Sequence, residues 1–365
     1  MRLSLPAEKI RRHQAFLERA PVDRPLIGSW LFGFYVPELY PRVAATLSPG
    51  PIRPADIPVE PFLEDIEALW RAYQELDDDY PFAAGALASV PWLEAILGCP
   101  IFFSGTTLWA DPCIGNWQEY EWDRRPLDNR WAEKLLELLR ALVEHSRGRY
   151  ACTPTLMRGV ADLCAALRGP NALALDLYDC PERISRLADR CAEALIQVGQ
   201  AQLALIPESE NGYLAGCAGL RCWFPGKGLW LQDDAVSILS PRFYREHFLP
   251  RVRRVAGAFE HVAFHLHGDR LWAVDLLLPL EEIDVLDLNY DVGASGLEQK
   301  LVPAWRHIQA RKPCIAFGHV TLEELARLRE TLSPAGLSLQ VVAPTLAQGR
   351  AARELVCRPA SPPTR

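Results

Sequence analysis

A parallel α/β barrel, (β/α)8, with N-terminal helical additions is the fold class this sequence predicts, and three observations predict it. The chain has 365 residues, too many for a minimal domain and comfortable for one barrel with additions. Hydrophobic residues make up 49% and charged residues 23%, enough apolar side chain for a large core. Short apolar runs alternate with amphipathic stretches along the chain, the rhythm of βαβ units rather than of a repeat array. A doubly wound open sheet is the runner-up, since a strand count one or two off would leave the barrel open. One domain is expected over residues 1–356, and the Pro-rich tail 357–365 is expected to be disordered.

The elements follow in order. Residues 6–19 read as a helix that ends before Pro21. Residues 25–35 (PLIGSWLFGFY), rich in aromatic and branched side chains, read as the first strand. A helical stripe of Phe62, Ile66, Leu69, Trp70 and Tyr73 marks residues 57–76, and residues 80–87 form the second strand after Asp77–Asp79. Leu135, Leu136, Leu139, Leu142 and Val143 share one face of a helix over 128–147, and residues 150–157 are the third strand. Helices follow over 162–167 and 181–206, the second opened by Pro181 and Glu182, which suit the first turn and the positive end of the dipole. Residues 228–232 (GLWLQ) are the fourth strand, and Ser240-Pro241 starts a helix as N-cap and N1. Strands then fall at 261–266, 283–289, 312–317 and 337–343, with helices at 270–279, 321–332 and 346–356. About eight strands alternate with helices, the count that closes a parallel barrel.

Charge and composition exclude several classes. A formal net charge of −7 argues against a nucleic-acid partner, which would need a basic face to release phosphate counterions. No segment is apolar over the ~18–20 residues that span a bilayer, and residues 1–12 lack the apolar run of a secretion signal. Ten scattered cysteines with no Cys-x-x-Cys pair fit reduced thiols, so a cytoplasmic location is expected. No dinucleotide fingerprint, P-loop, nucleophile elbow or His-Glu-x-x-His motif occurs.

From residue 150 onward the sequence resembles the uroporphyrinogen decarboxylase superfamily. The stretch WLQDDAVSILSPRFYREHFLP (residues 230–250) is similar to that family's acidic strand end and Ser-Pro-opened helix. LRGPNALALDLYDCPER (167–183), Phe317-Gly318-His319 and the following Thr321-Leu322-Glu323-Glu324-Leu325 match its central helix entry and next-to-last strand and helix. His265-Leu266-His267-Gly268 stands where relatives carry His-x-Cys-Gly. The resemblance, loose before residue 150, implies a barrel with its site at the C-terminal strand ends and either decarboxylation or corrinoid-linked methyl transfer. It also implies a monomer or homodimer. Two departures matter. The first strand, Gly28 to Phe34, has no arginine to anchor a polycarboxylate, so uroporphyrinogen itself is an unsuitable substrate. His267 replaces a zinc-ligating cysteine, and Leu339 to Pro344 holds no distant second one, so the family's zinc site is not carried over whole.

His265 and His267, two apart on a strand, share one face and would converge on one point at the barrel mouth. Two imidazoles supply half of a tetrahedral zinc shell; Asp233, Asp234, Asp287, Cys314 and His319 at other strand ends are candidates to complete it. An N/O ligand set also suits other divalent metals. The alternative is that both histidines orient substrate or merely fill the barrel end. Of Asp233 and Asp234 only one can face the mouth, as ligand or general base, the alternative being a cap for the following segment. Asp287 and Asn289 share a face and would bind a polar substrate or orient a histidine. His319 is a candidate ligand or acid/base, or else a helix-entry residue. Trp30 and Phe34 would wall an apolar site or belong to the core, and Arg158 would clamp a carboxylate or phosphate.

Three functions remain open on these residues. The first is a metal-assisted methyltransferase acting on a small molecule, with zinc the expected metal. Any corrinoid would be brought by a separate carrier protein, because no Asp-x-His-x-x-Gly motif occurs. The second is a decarboxylase of a smaller carboxylate substrate. The third is a catalytically silent binding protein on the same barrel.

Overall fold

The computed structural model describes residues 6–217, 219–291 and 296–358. Thirteen strands lie among them: β1 Leu26–Leu31, β2 Gly50–Ile52, β3 Ala83–Ala84, β4 Ile101–Phe103, β5 Leu108–Ala110, β6 Ala151–Cys152, β7 Tyr213–Ala215, β8 Cys222–Phe224, β9 Gly228–Gln232, β10 His261–His267, β11 Val285–Tyr290, β12 Cys314–Gly318 and β13 Leu337–Ala343. Six form one parallel sheet in the order β1-β13-β12-β11-β10-β9. Five of these, β1, β9, β11, β12 and β13, are buried along their whole length. Helices cover one face and the interior the other, which is why they read as near-continuous apolar runs. The expected helices form: Val59–Leu76, Arg130–Ser146 and Pro181–Leu205 are the long ones. Ser240 and Thr321 cap their helices through side-chain oxygens that accept from Phe243 N–H and Glu324 N–H. Among the described residues no helix is long and apolar enough to cross a membrane.

The closed eight-strand ladder expected from the sequence forms only in part. The second and third strands shrink to two residues each, β3 and β6, which pair with one another rather than with β1 or β9. The hairpin β7–β8 and the antiparallel sheet β2-β4-β5 are additions that the apolar alternation does not signal. β7 touches both β6 and β9 and fills the space between them. The C-terminal helix runs to Cys357, one residue into the expected tail; residues 359–365 of that tail lie outside the described residues.

Side chains take the place of a neighbouring strand along the free edge of β1. Asp79 Oδ2 accepts from Ile27 N–H (2.8 Å), and Asp79 N–H donates to Ile27 O (3.0 Å). Asp78 Oδ2 accepts from Ser29 N–H (2.9 Å), and the Tyr73 hydroxyl oxygen from Leu31 N–H (3.1 Å). The Ser29 carbonyl accepts from Tyr73 Oη and from Arg221 Nη2. Arg221, on the turn into β8, is fully buried inside the fold and pairs with Asp78 at 3.0 Å. Its guanidinium also donates to the carbonyls of Tyr80 and Pro81 and lies against the Tyr73 ring. A parallel edge that would otherwise expose its amides is therefore satisfied residue by residue.

His13 packs under this seam, with Nε2 3.2 Å from the Asp79 carbonyl and its ring edge-on to Tyr80. Burial pushes its imidazole down to about 4, so it is neutral in the folded chain.

Asp78→Ala leaves Arg221 buried without its counter-charge and should cost about 3–5 kcal/mol in urea unfolding. Asp23→Ala, which removes an ion pair whose aspartate side chain is 70% exposed, should cost under about 1 kcal/mol. The unfolded chain protonates His13 near pH ~6.5 and the folded chain only near 4, so unfolding takes up a proton between those values. Stability from His13 is complete above pH ~6.5 and falls by roughly 3 kcal/mol as pH drops to ~4. His13→Phe should flatten that part of the stability–pH curve; an unchanged slope would remove His13 as its source.

Candidate functional site

All six strands of the main sheet end on one side, and the residues at those ends build a cavity of about 690 Å³. β10 lies in register with both neighbours: His265 stands opposite Gln232 of β9 and Asp287 of β11, and His267 opposite Asn289. The same two-residue step repeats on β11, so each histidine meets an acidic partner. His265 Nδ1 donates to Asp287 Oδ2 in a short hydrogen bond. His267 Nδ1 donates to Asp291 Oδ1 at 2.6 Å, and Asn289 Nδ2 donates to the same oxygen at 2.8 Å. A carboxylate on Nδ1 fixes the ring and leaves Nε2 to face the cavity.

Asp234 completes the group. Its Oδ2 accepts from Gln232 Nε2 at 2.9 Å, while Oδ1 is buried 3.4 Å from His267 Nε2 and makes no hydrogen bond among the described residues. One ligand atom each from Asp234, His265 and His267 lie within 4.8 Å of one another. Two imidazoles and one carboxylate with a bare buried oxygen are a fitting donor set for a divalent cation with open positions on the cavity side. Burial works against charge on His267, but Asp234 and Asp291 outweigh it and raise its imidazolium to about 10. Positive charge is what this point demands.

The adjacent acid does different work. Asp233 turns away from the cavity and is 1% exposed, which corrects its assignment as a site residue. Its Oδ1 accepts from Ala161 N–H and its Oδ2 from Tyr244 Oη, both at 2.9 Å. Asp162 reciprocates by accepting from Ala235 N–H at 2.6 Å. The two aspartates lace the helix Val160–Arg168 to the end of β9. The contact is so close that a Cβ on Gly159 would lie 1.7 Å from the Gln232 carbonyl. Burial pushes Asp233 up to about 7.

The remaining candidates divide between the cavity and its neighbour. Trp30, Phe34, Asn289 and His319 line the cavity with the triad. Phe32, at φ +77 in the left-handed region, turns the chain back after β1 so that Phe34 packs on Trp30, ring centroids 4.4 Å apart. Trp30 Nε1 donates to Gly33 O and locks that turn. Phe317 closes the aromatic wall 6.2 Å from the His265 ring. Burial lowers the His319 imidazole below its ordinary value. Asp287 lies beneath His265 as its partner rather than in the cavity. Arg158 lies in an adjoining cavity of about 240 Å³ that shares Phe34, Leu156, Gln232 and Asp234 with the first. Its Nε is 3.3 Å from buried Glu94. Cys314 is fully buried at the start of β12, outside the cavity. Asp291, Phe317 and Gln232 are not among the site candidates that the sequence offers, although Asp291 continues the alternation that singles out Asp287 and Asn289.

The chain is thus an α/β barrel-type protein with carboxylate-backed histidines at its C-terminal strand ends. No protein-family model and no curated protein sequence matches it. Among solved structures it superposes on a methyltransferase from Methanosarcina mazei with a TM-score of 0.64 at 14% identity, over 95% of this chain and 98% of that one. The oxidised form of the homocysteine methyltransferase MmuM from Escherichia coli matches with a TM-score of 0.43 at 14% identity, over 94% and 99%. The first likeness is one of fold.

In chelator-treated protein the His267 imidazole should remain protonated through neutral pH by ¹⁵N NMR. Asp291→Ala should lower its midpoint by at least about one unit, since a hydrogen-bonded carboxylate contributes that much. A neutral ring at pH 7 in the parent chain would refute the pairing.

Proposed function

We propose that this protein is a metal-dependent methyltransferase acting on a small molecule. The observation that carries the reading is the Asp234–His265–His267 group, backed by Asp287 and Asp291, opening onto an aromatic chamber. These three side chains would hold one divalent ion, with zinc the one expected from the two-imidazole, one-carboxylate set. Such an ion supplies Lewis acidity, lowering the pKa of an acceptor thiol or hydroxyl placed beside it.

The chain's own residues supply the rest. Asp287 and Asp291 hold both imidazoles in one tautomer and one orientation. Trp30, Phe34 and Phe317 exclude water from the space where the methyl group passes, and the low dielectric there favours attack by a desolvated acceptor. His319, kept neutral by burial at the rim, takes up the proton the acceptor releases. Arg158, at the far side of Asp234, offers a cation to an anionic part of the substrate. The donor in this reading is a methylated corrinoid presented by a separate carrier protein.

Decarboxylation is the weaker reading. Among the described residues the chamber is lined by Glu38, Asp234 and Asp291 and by no lysine or arginine, so a polycarboxylate would meet like charge.

Protein purified under reducing, chelator-free conditions should contain about one equivalent of a divalent metal, and less than about one-tenth equivalent would sink the proposal. His265→Ala with His267→Ala should abolish metal retention and methyl transfer from methylcobalamin to small thiol and phenol acceptors. The double variant also leaves the Asp287 carboxylate buried without its partner and should lose about 3–5 kcal/mol, whereas His267→Ala alone should stay within about 2 kcal/mol, because that side chain is 34% exposed at the cavity.

A further inference from the structure

The sheet β2-β4-β5 is separate from the main sheet, yet its hairpin β4–β5 reaches the site. At the hairpin tip the Thr106 carbonyl accepts from Val36 N–H at 2.9 Å, directly after the segment that carries Phe34 and Tyr35 into the cavity. Thr107 and Leu108 line the adjoining cavity beside Arg158. The hairpin is therefore a wall of the substrate space.

Its base holds two cysteines. The ladder ends at Ile101 opposite Ala110, and Asp111 N–H donates to Pro100 O one step further out. Just beyond, Cys99 and Cys113 bring their sulfurs to 3.6 Å, roughly 1.5 Å more than a disulfide bond, a gap that small side-chain rotations close. Cys99 is 2% exposed, but Cys113 is half-buried and open to a small reagent. Arg124 packs over Gly98, the neighbour of Cys99, 3.2 Å from where a Cβ would stand there. The hydrogen bond from the Cys99 thiol and the nearby Arg124 charge favour the thiolate at Cys113. A second close pair, Cys164 and Cys191 at 3.8 Å, lacks all of this: both thiols are completely buried between helices.

We propose that Cys99 and Cys113 are a redox modification site, a dithiol that a low-molecular-weight disulfide such as oxidised glutathione converts to an intramolecular disulfide pinning the base of the β4–β5 hairpin. The Cys113 thiolate attacks one sulfur of the reagent; the reagent's S–S bond breaks, and one small thiolate leaves and takes a proton from solvent. Cys99 then loses its proton to solvent and attacks the Cys113 sulfur of the mixed disulfide, expelling the second small thiol. Two protein thiols are oxidised and one reagent disulfide is reduced to two thiols. This site is independent of the metal and of the methyl-transfer reading.

The test uses the full chain and one equivalent of oxidised glutathione at neutral pH, followed by non-reducing peptide mapping. The expected result is loss of two of the ten thiols, both in one cross-linked peptide pair containing Cys99 and Cys113. Cys99→Ser should stop at a mixed disulfide on Cys113, and Cys113→Ser should leave Cys99 as the free thiol. Amide exchange over residues 101–110 should slow in the oxidised chain and recover on reduction. Mixed disulfides spread over Cys152, Cys180 and Cys357 without the Cys99–Cys113 cross-link would overturn the proposal. So would a cross-link that leaves exchange in the hairpin unchanged.

Discussion

The free edge of β1 is the constraint on which the rest of the architecture depends. A parallel sheet that stops at β1 leaves a row of backbone amides and carbonyls inside the molecule, and each would be costly without a partner. Asp78, Asp79, Tyr73 and Arg221 supply those partners from three separate stretches of chain. Their geometry fixes where the Val59–Leu76 helix ends, where β3 begins, and how far the turn before β8 enters the interior. The aromatic turn at Phe32 to Phe34 leaves from the end of this same strand. The mouth of the site is therefore held from one side by a buried polar seam and from the other by the parallel ladder β9 to β13.

On the ladder side, register does the chemical work. Parallel strands one residue out of step would place His265 and His267 against hydrophobic neighbours or turn them outward. In the observed register a step of two on β10 meets a step of two on β11, so both rings receive an acidic backing from one strand and its continuation. Metal-type geometry thus comes from periodicity rather than from a local loop motif, which explains the absence of any recognisable ligand-spacing signature.

The fold was legible where apolar runs were long and the connections short. Residues 228 to 357 alternate cleanly, and the five strands and the helices placed there formed close to their expected bounds. The two strands placed at 80–87 and 150–157 were short of a full ladder for a physical reason. Asp78 accepts from Tyr80 N–H at the start of one; near the end of the other Thr155 N–H donates to Gln202 Oε1 and Thr155 Oγ1 to the Ala86 carbonyl, so these groups are satisfied through side chains rather than through strand pairing. The excursion at β4–β5 was illegible because it borders the site without belonging to the alternation. The site followed the same logic. Strand periodicity identified His265, His267 and the need for one of Asp233 and Asp234, but adjacency alone could not say which. The choice is made by Gly159, whose bare Cα lets the Val160–Arg168 helix approach β9 and claim Asp233 for its first turn.

That division between neighbours has an electrostatic consequence. Asp233 is buried and shielded by a helix end, so its charge contributes little to the chamber, whereas Asp234, Asp291 and Glu38 all face it without a lysine or arginine among its lining residues. The chamber therefore has a standing demand for positive charge, focused where Asp234 and Asp291 flank His267. In the isolated chain a proton on His267 meets that demand. A divalent cation held by the same three side chains would meet it more fully, and would free the imidazole lone pair in doing so. The aromatic wall opposite carries no charge of its own, so whatever binds there is drawn in by its apolar surface and oriented by the charged floor. A small molecule with an apolar part and one ionisable group would satisfy both faces at once, which is the physical argument behind the proposed group transfer.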